Sequence, residues 1–131
     1  MVNSILGRVH LSSDLSLLNR EQFSLVQEGI AYIKKFNGIK RKAIPYFPIG
    51  FTDFSKDTVA CGLRNGQKLY LAVWVLRGNQ KAIVPLKGVK NVNVAYPLAL
   101  PTEFSWQNEG LTVNFNQTNS ARFFEIEIEA D

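Results

Sequence analysis

The side chains most suited to chemistry in this 131-residue chain are few and scattered. Glu125, Glu127 and Glu129 alternate through RFFEIEIE, so a strand here sets them on one face about 7 Å apart. Carboxylates at such distances can cleave glycosidic bonds or hold hard cations, provided burial or a neighbouring charge separates their protonation states. Nothing in the run suggests burial, and an acidic face on an edge strand serves to deter sheet-to-sheet aggregation. Asp53 and Asp57 flank Phe54 in a turn-like setting that they cap or solvate. His10 and Cys61 are the only residues of their kinds. They permit a single Cys–His pair, and no surrounding pattern supports one. A lone cysteine forms neither an internal disulfide nor a zinc site, so Cys61 reads as a buried thiol and His10 as structural. Nucleophile-elbow, phosphate-loop, dinucleotide, zincin and EF-hand patterns do not occur. From residue types alone, no catalytic residue, metal ligand or cofactor is expected.

Binding chemistry has two other sources. Aromatic side chains could stack on a sugar ring or a nucleobase if they are solvent-exposed. Trp74 lies in an apolar run and reads as buried. Trp106, between Ser105 and Gln107, is the candidate sugar contact. The aromatics of Tyr46–Phe54 read as packing between two parts of the chain. The second source is KKFNGIKRK (Lys34–Lys42), which holds most of the chain's net charge of +4. Residues 1–43 carry seven Lys/Arg against three Asp/Glu, while residues 44–131 carry eight against eight. Such a cluster can bind phosphates, but it falls at a predicted helix C-terminus, where cations favour the helix dipole. No base-stacking pattern accompanies it, so nucleic acid is not an expected partner.

The elements that must position these groups follow from periodicity. Thr58–Arg77 reads as two strands around Asn65-Gly66, a strong hairpin signal because that turn needs residues tolerant of positive φ. A two-residue Asn65-Gly66 turn sets Arg64 opposite Gln67, Gly62 opposite Leu69 and Ala60 opposite Leu71. The second strand is apolar on both sides. Leu69, Leu71, Val73 and Val75 point one way, and Tyr70, Ala72, Trp74 and Leu76 the other. It must be a central strand covered on both faces, by the rest of the chain or by a partner.

Ser4–Leu11 reads as a short strand, followed by a helix over Arg20–Phe36. Asn19 and Gln22 can close a capping box at its start, and Gly38 suits the left-handed position past its end. Phe23, Val26, Ile30 and Ile33 recur on one helical face, widened by Leu25 and Phe36. Pro45 and Pro48 keep Ala43–Phe54 out of helix interiors and central strands. From Thr58 onward seven short strands are expected. Asn108-Glu109-Gly110 forms a three-residue hairpin loop with Gly110 left-handed, and Arg122–Glu129 forms the last strand. The fold class is mainly β: an antiparallel, Greek-key-like β-sandwich preceded by a short strand and one amphipathic helix. Length fits one domain with an appended segment, and 46% hydrophobic against 20% charged residues argues against disorder. No apolar run reaches the roughly 18 residues of a membrane helix, and no secretory leader is evident, which points to the cytoplasm.

The order of the segments carries a further signal. The features are GR-x-HLS-x-DL (Gly7–Leu15), Q-x-x-L-V-x-x-G (Gln22–Gly29), P-x-x-P-x-G (Pro45–Gly50), the hairpin with its LAVW (Leu71–Trp74), and the late Tyr96-Pro97. In this order they resemble the C-terminal end of glycoside hydrolase family 36 α-galactosidases, over nearly the whole chain. Ser13 stands where that family usually has glycine.

The resemblance implies that residues 1–43 are the remnant of the last β/α unit of a (β/α)8 barrel and that residues 44–131 are the sandwich behind it. The family's nucleophile and acid/base are aspartates on earlier barrel strands, upstream of Gly7, so no catalytic residue carries over. The chain then looks like the tail of a retaining α-galactosidase and is expected to be inactive alone. With the barrel absent, an apolar surface should remain for the barrel or for homo-oligomerisation. The alternative is a free-standing carbohydrate-binding sandwich using Trp106.

Overall fold

A computed structural model gives the architecture of residues 1–53 and 55–130. Phe54, counted above among the connecting aromatics, and Asp131 lie outside the described residues. The elements are α1 (Val2–Leu6), a 3-10 turn (Leu15–Leu17), α2 (Arg20–Lys40), β1 (Ile44–Tyr46), β2 (Thr58–Asn65), β3 (Lys68–Val75), β4 (Lys81–Pro85), β5 (Val89–Tyr96), β6 (Glu103–Gln107), β7 (Gly110–Asn114) and β8 (Ser120–Ile128). They form two antiparallel sheets, a five-stranded one ordered β1-β2-β3-β8-β5 and a three-stranded one ordered β4-β7-β6. This is the expected β-sandwich. Helices α1 and α2 add a third layer on the outer face of the larger sheet.

β3 sits at the centre of that sheet, and all but its first residue and Trp74 are buried. Leu69, Leu71, Val73 and Val75 face the smaller sheet with Val84, Leu111, Val113, Phe124 and Ile126. Tyr70 and Ala72 face the helices with Ile5, Ile33, Phe36, Tyr96 and Phe123. The two-faced strand thus finds both covers within this chain, one from each side of the sheet. Burying a large apolar side chain contributes roughly 1.5–3 kcal/mol, which is why so apolar a strand occupies the middle.

Several details depart from the sequence reading. The β2–β3 turn is Gly66-Gln67, with Asn65 opposite Lys68, Gly62 opposite Leu71 and Ala60 opposite Val73. Gly66 has φ +60° at the first central position, the arrangement that matches the twist of a hairpin through a II′-type turn. The slip moves each partner by two residues, so every side chain keeps its face. Gly62 is obligatory for another reason. A Cβ there would run into the Tyr70 carbonyl oxygen and lie 2.9 Å from the Leu71 Cα. Likewise Asn108-Glu109 alone makes the β6–β7 turn, with Gln107 opposite Gly110, and Gly110 is a strand residue.

The N-terminal strand does not form. Val2–Leu6 is helical and residues 7–14 are irregular. A strand needs neighbours for its backbone groups, and here the surface it meets is an apolar sheet face, which a helix covers with its backbone bonds satisfied internally. α2 runs one turn further than expected, through Gly38, because Ile39 still packs on the helix-side cluster and Lys40 Nζ donates to the carbonyls of Ile5 (3.1 Å) and Gly7 (2.6 Å). The Asn19–Gln22 capping box is present, with reciprocal bonds of 2.9 and 3.1 Å. Pro45 lies in β1, a three-residue strand at the sheet edge, where a missing N–H is tolerated. β8 is no edge: it lies between β3 and β5.

Candidate functional site

Trp106 lies on β6, one of the two outer strands of the smaller sheet, opposite Leu111. It shares the inward row with Phe104, which packs on the core, yet it remains 38% exposed because no strand lies beyond it. Ile83, Ser105, Gln107 and Thr112 alternate with that row and so face the outside of the sheet, where they line a shallow groove of about 280 Å³ that Trp106 also borders. An indole partly exposed at a sheet edge can stack on a sugar ring, while the hydroxyl and amide groups of the alternate positions lie on the other side of that edge. Trp74 serves the fold instead. It is half-buried, and its Nε1–H donates to Asn3 Oδ1 at 2.7 Å, tying α1 to the sheet. The Phe47 and Phe51 rings meet in a tilted contact at 4.4 Å, and Phe51 is 86% exposed, whereas Tyr46 leans on the core.

The acidic run is divided by its surroundings. Glu125 faces α2 and accepts from the Tyr32 hydroxyl at 2.9 Å, while Glu127 and Glu129 are exposed. Burial, reinforced by Glu125, holds the Tyr32 phenol well above the ordinary tyrosine range. Asp53 accepts from the Ser55 hydroxyl and, at 2.8 Å, from the Ser55 backbone N–H, and these bonds keep its carboxyl below the usual value. Asp57 lies 3.6 Å from Arg77. Asp53 thus caps the turn through Ser55, while Asp57 reaches across to the segment after β3, and the setting of Phe54 between them lies outside the described residues. His10 is exposed in the irregular segment before α2 and not at a strand end.

Cys61 is half-buried on the helix side of β2, opposite Ala72, and burial pushes its thiol pKa up. That is the direction opposite to an activated nucleophile. In the basic cluster, Lys34, Lys35, Arg41 and Lys42 are exposed, and Lys40 binds the end of α1. Among the described residues no three His, Cys, Asp or Glu side chains gather into a group that could hold a metal, and no helix is long and apolar enough to cross a membrane.

A second hollow was not anticipated from the sequence. It has about 840 Å³ and opens at the end of the sandwich where the β2–β3, β4–β5 and β6–β7 turns meet the end of β8. Leu69, Leu86 and Ile128 form its floor, and Tyr46, Arg64, Lys87, Asn108, Glu109 and Glu129 its walls. A signal for it exists. The core-facing row of β2 reads Ala60, Gly62, Arg64: a small residue, no side chain and then a charge, where a filled sandwich would place large apolar groups. The β4 and β6 strands lie against β3 and β5. At about 4.8 Å per strand, the wider sheet overhangs by about 10 Å, on the side of β1 and β2.

No protein-family model, curated protein or solved structure matches this chain. The likeness to family 36 therefore rests on the segments quoted above.

Proposed function

We propose that this chain is the non-catalytic C-terminal module of an α-galactosidase-like glycoside hydrolase acting in the cytoplasm, where it supports a catalytic barrel. The observation that carries this reading is the apolar surface on the segments that the resemblance assigns to the last barrel unit. Leu11 is 46%, Leu17 82% and Phe23 40% exposed, and Val26 and Ile30 beside Phe23 are only partly covered. The stripe predicted on α2 is thus wider than the arc through Gly29, Ile33 and Phe36 that the sheet buries. The irregular backbone of residues 7–14, where a barrel strand would find its neighbours in the rest of the barrel, supports the same reading.

The test uses a chromogenic α-galactoside. The purified chain alone should give no turnover, and adding it to a family 36 barrel deprived of its own sandwich should raise that barrel's activity or stability. Turnover by the chain alone, surviving repurification, would show that catalytic carboxylates exist here after all. Self-association through the same surface should appear as a concentration-dependent mass in sedimentation.

A second reading has its own observation. The indole of Trp106, 38% exposed at the edge of the smaller sheet and bordering the groove of Ser105, Gln107 and Thr112, favours a carbohydrate-binding sandwich. Quenching or a blue shift of tryptophan fluorescence on adding oligosaccharides, lost in Trp106→Ala, is the expected result. An unchanged response in that variant would exclude Trp106 as the sugar contact.

A further inference from the structure

We infer that β6 is an open sheet edge that pairs antiparallel with β6 of a second copy of this chain, joining two smaller sheets into one. This edge belongs to the smaller sheet, whereas the helices lie on the outer face of the larger one, so the inference goes beyond the reading in which the helical layer meets a barrel.

The outer strands of the two sheets are unequally guarded. β1 has 3 residues, one of them Pro45. β5 shifts register against β8 near each end and exposes Lys90. β4 carries Lys81 and Pro85. Very short strands, bulges, lysine and proline are the means by which a sheet edge refuses a further strand. β6, Glu103–Gln107, has no proline, no lysine and no register shift against β7. Among the described residues no strand lies on its outer side.

The ladder fixes which backbone groups of β6 remain free. Leu86 N–H donates to the Glu109 carbonyl at 3.0 Å and Phe115 N–H to the Gln80 carbonyl at 2.8 Å, just beyond the two ends of the β4–β7 pairing. Hydrogen-bonded pairs alternate along an antiparallel ladder, so the backbones of Leu111 and Val113 turn to β4 and those of Gly110, Thr112 and Asn114 to β6. Their partners on β6 are Gln107, Ser105 and Glu103. The N–H and C=O groups of Phe104 and Trp106 therefore point away from β7, along the open edge.

This spacing is self-complementary. A two-fold axis at Ser105 sets Phe104 opposite Trp106 of the second copy, and Trp106 opposite its Phe104, which gives two reciprocal pairs of backbone hydrogen bonds. The side chains agree with that register. On the inward face each indole, 38% exposed in the single chain, is covered by the other copy's Phe104 ring. On the outward face Glu103 falls opposite Gln107 of the second copy. Glu103 Oε1 accepts from Asn114 Nδ2 at 3.0 Å, which leaves Oε2 for that amide. The two Ser105 hydroxyls meet at the axis. No like charges are opposed in the strand pair. Val89 N–H donates to the Asn108 carbonyl at 3.2 Å, so the neighbouring Lys90 lies at the Gln107 end, and the axis places its copy at the other end.

The experiment is sedimentation and amide hydrogen exchange of the chain over about 0.02–1 mM, because one strand pair buries less than the roughly 1,200 Å² of stable complexes and holds weakly. The expected result is a mass rising toward that of a dimer, with the amides of Phe104 and Trp106 gaining protection as the concentration rises. Ser105→Lys and Ser105→Glu, at an exposed side chain, each set like charges across the axis and should weaken the association at least about tenfold. Mixing the two variants should restore it, which loss of folding in either would not allow. In Phe23→Glu, which disables the exposed flank of α2, the protection of Phe104 and Trp106 should remain. A monomer throughout this range would overturn the inference. So would a dimer that survives both Ser105 variants and is lost in Phe23→Glu, which would assign the association to the helical surface and leave the proposed function standing.

Discussion

The two faces of the five-stranded sheet are both buried, but they are built differently. Toward the smaller sheet the contact is dominated by aliphatic side chains, Leu69, Leu71, Val73, Val75, Val84, Leu111 and Val113, with Phe124 among them. Toward the helices the contact is aromatic: Phe36 lies 4.9 Å from Tyr70 and 5.8 Å from Phe123, and Tyr32 lies 5.6 Å from Phe123. That side also carries polar handles. Tyr32 donates to Glu125, Tyr96 to the Leu25 carbonyl at 2.9 Å and Trp74 to Asn3, and Glu28 accepts from the Leu98 and Ala99 N–H groups. The dry face tolerates repacking wherever volume and pattern are kept, Gly62 excepted. The aromatic face fixes one placement of α2, because each handle must meet its partner. In the proposed assembly it is this helical layer, and not the sandwich core, that meets the barrel.

Breaking the dry face should have the largest effect. Phe124→Ala removes a fully buried ring between the sheets and is expected to cost about 3–5 kcal/mol, with fluorescence and far-ultraviolet circular dichroism melting together. Gly62→Ala comes next: its Cβ would collide with the backbone of Tyr70 and Leu71, so the β2–β3 pairing must shift, at about 1–3 kcal/mol in a denaturant melt. On the helical face, Tyr96→Phe keeps the ring and deletes the bond to Leu25, a loss of about 1 kcal/mol that should fall mainly on the amide protection of α2. A change of similar size is Asn19→Ala, which opens the capping box and should cost about 0.5–2 kcal/mol, typically near 1, measured in the same way. If Tyr96→Phe were instead to destabilise all strands equally, the contrast between the faces would be false.

Much of this was legible from residue order. β3 declared itself central because apolar residues at every position admit no wet face, and the alternation of Phe124, Ile126 and Ile128 set the face of β8. What period alone did not give was which strands become neighbours. The acidic run looked like an edge, since glutamates on alternate positions are usually solvated, but α2 lies over Glu125 and β5 closes the far side. The N-terminal strand failed because Val2–Leu6 meets a sheet face rather than a sheet edge. Gly66-Gln67 competed with Asn65-Gly66 for the turn, and both keep the same faces, so patterning could not separate them. The partial exposure of Trp106 was legible from its polar neighbours. The end hollow arises from the unequal widths of two sheets, a tertiary property announced only by Gly62 and Arg64 in a core-facing row.

The most direct test of the difference between the faces is an alkaline titration followed by tyrosinate absorbance and circular dichroism together. Tyr32, Tyr70 and Tyr96 all lie on the helical side, and burial raises all three phenols above the ordinary value of 10.0, Tyr96 to about 12. A folded-state value raised in this way means that the unfolded chain releases its protons first. The stability these groups supply is complete below pH 10.0 and is lost as the pH rises through the folded-state values. These tyrosines should ionise late and together with loss of the α2 signal, while the strand signal persists. Ionisation near pH 10 with the helix undisturbed would contradict the contrast drawn between the two faces.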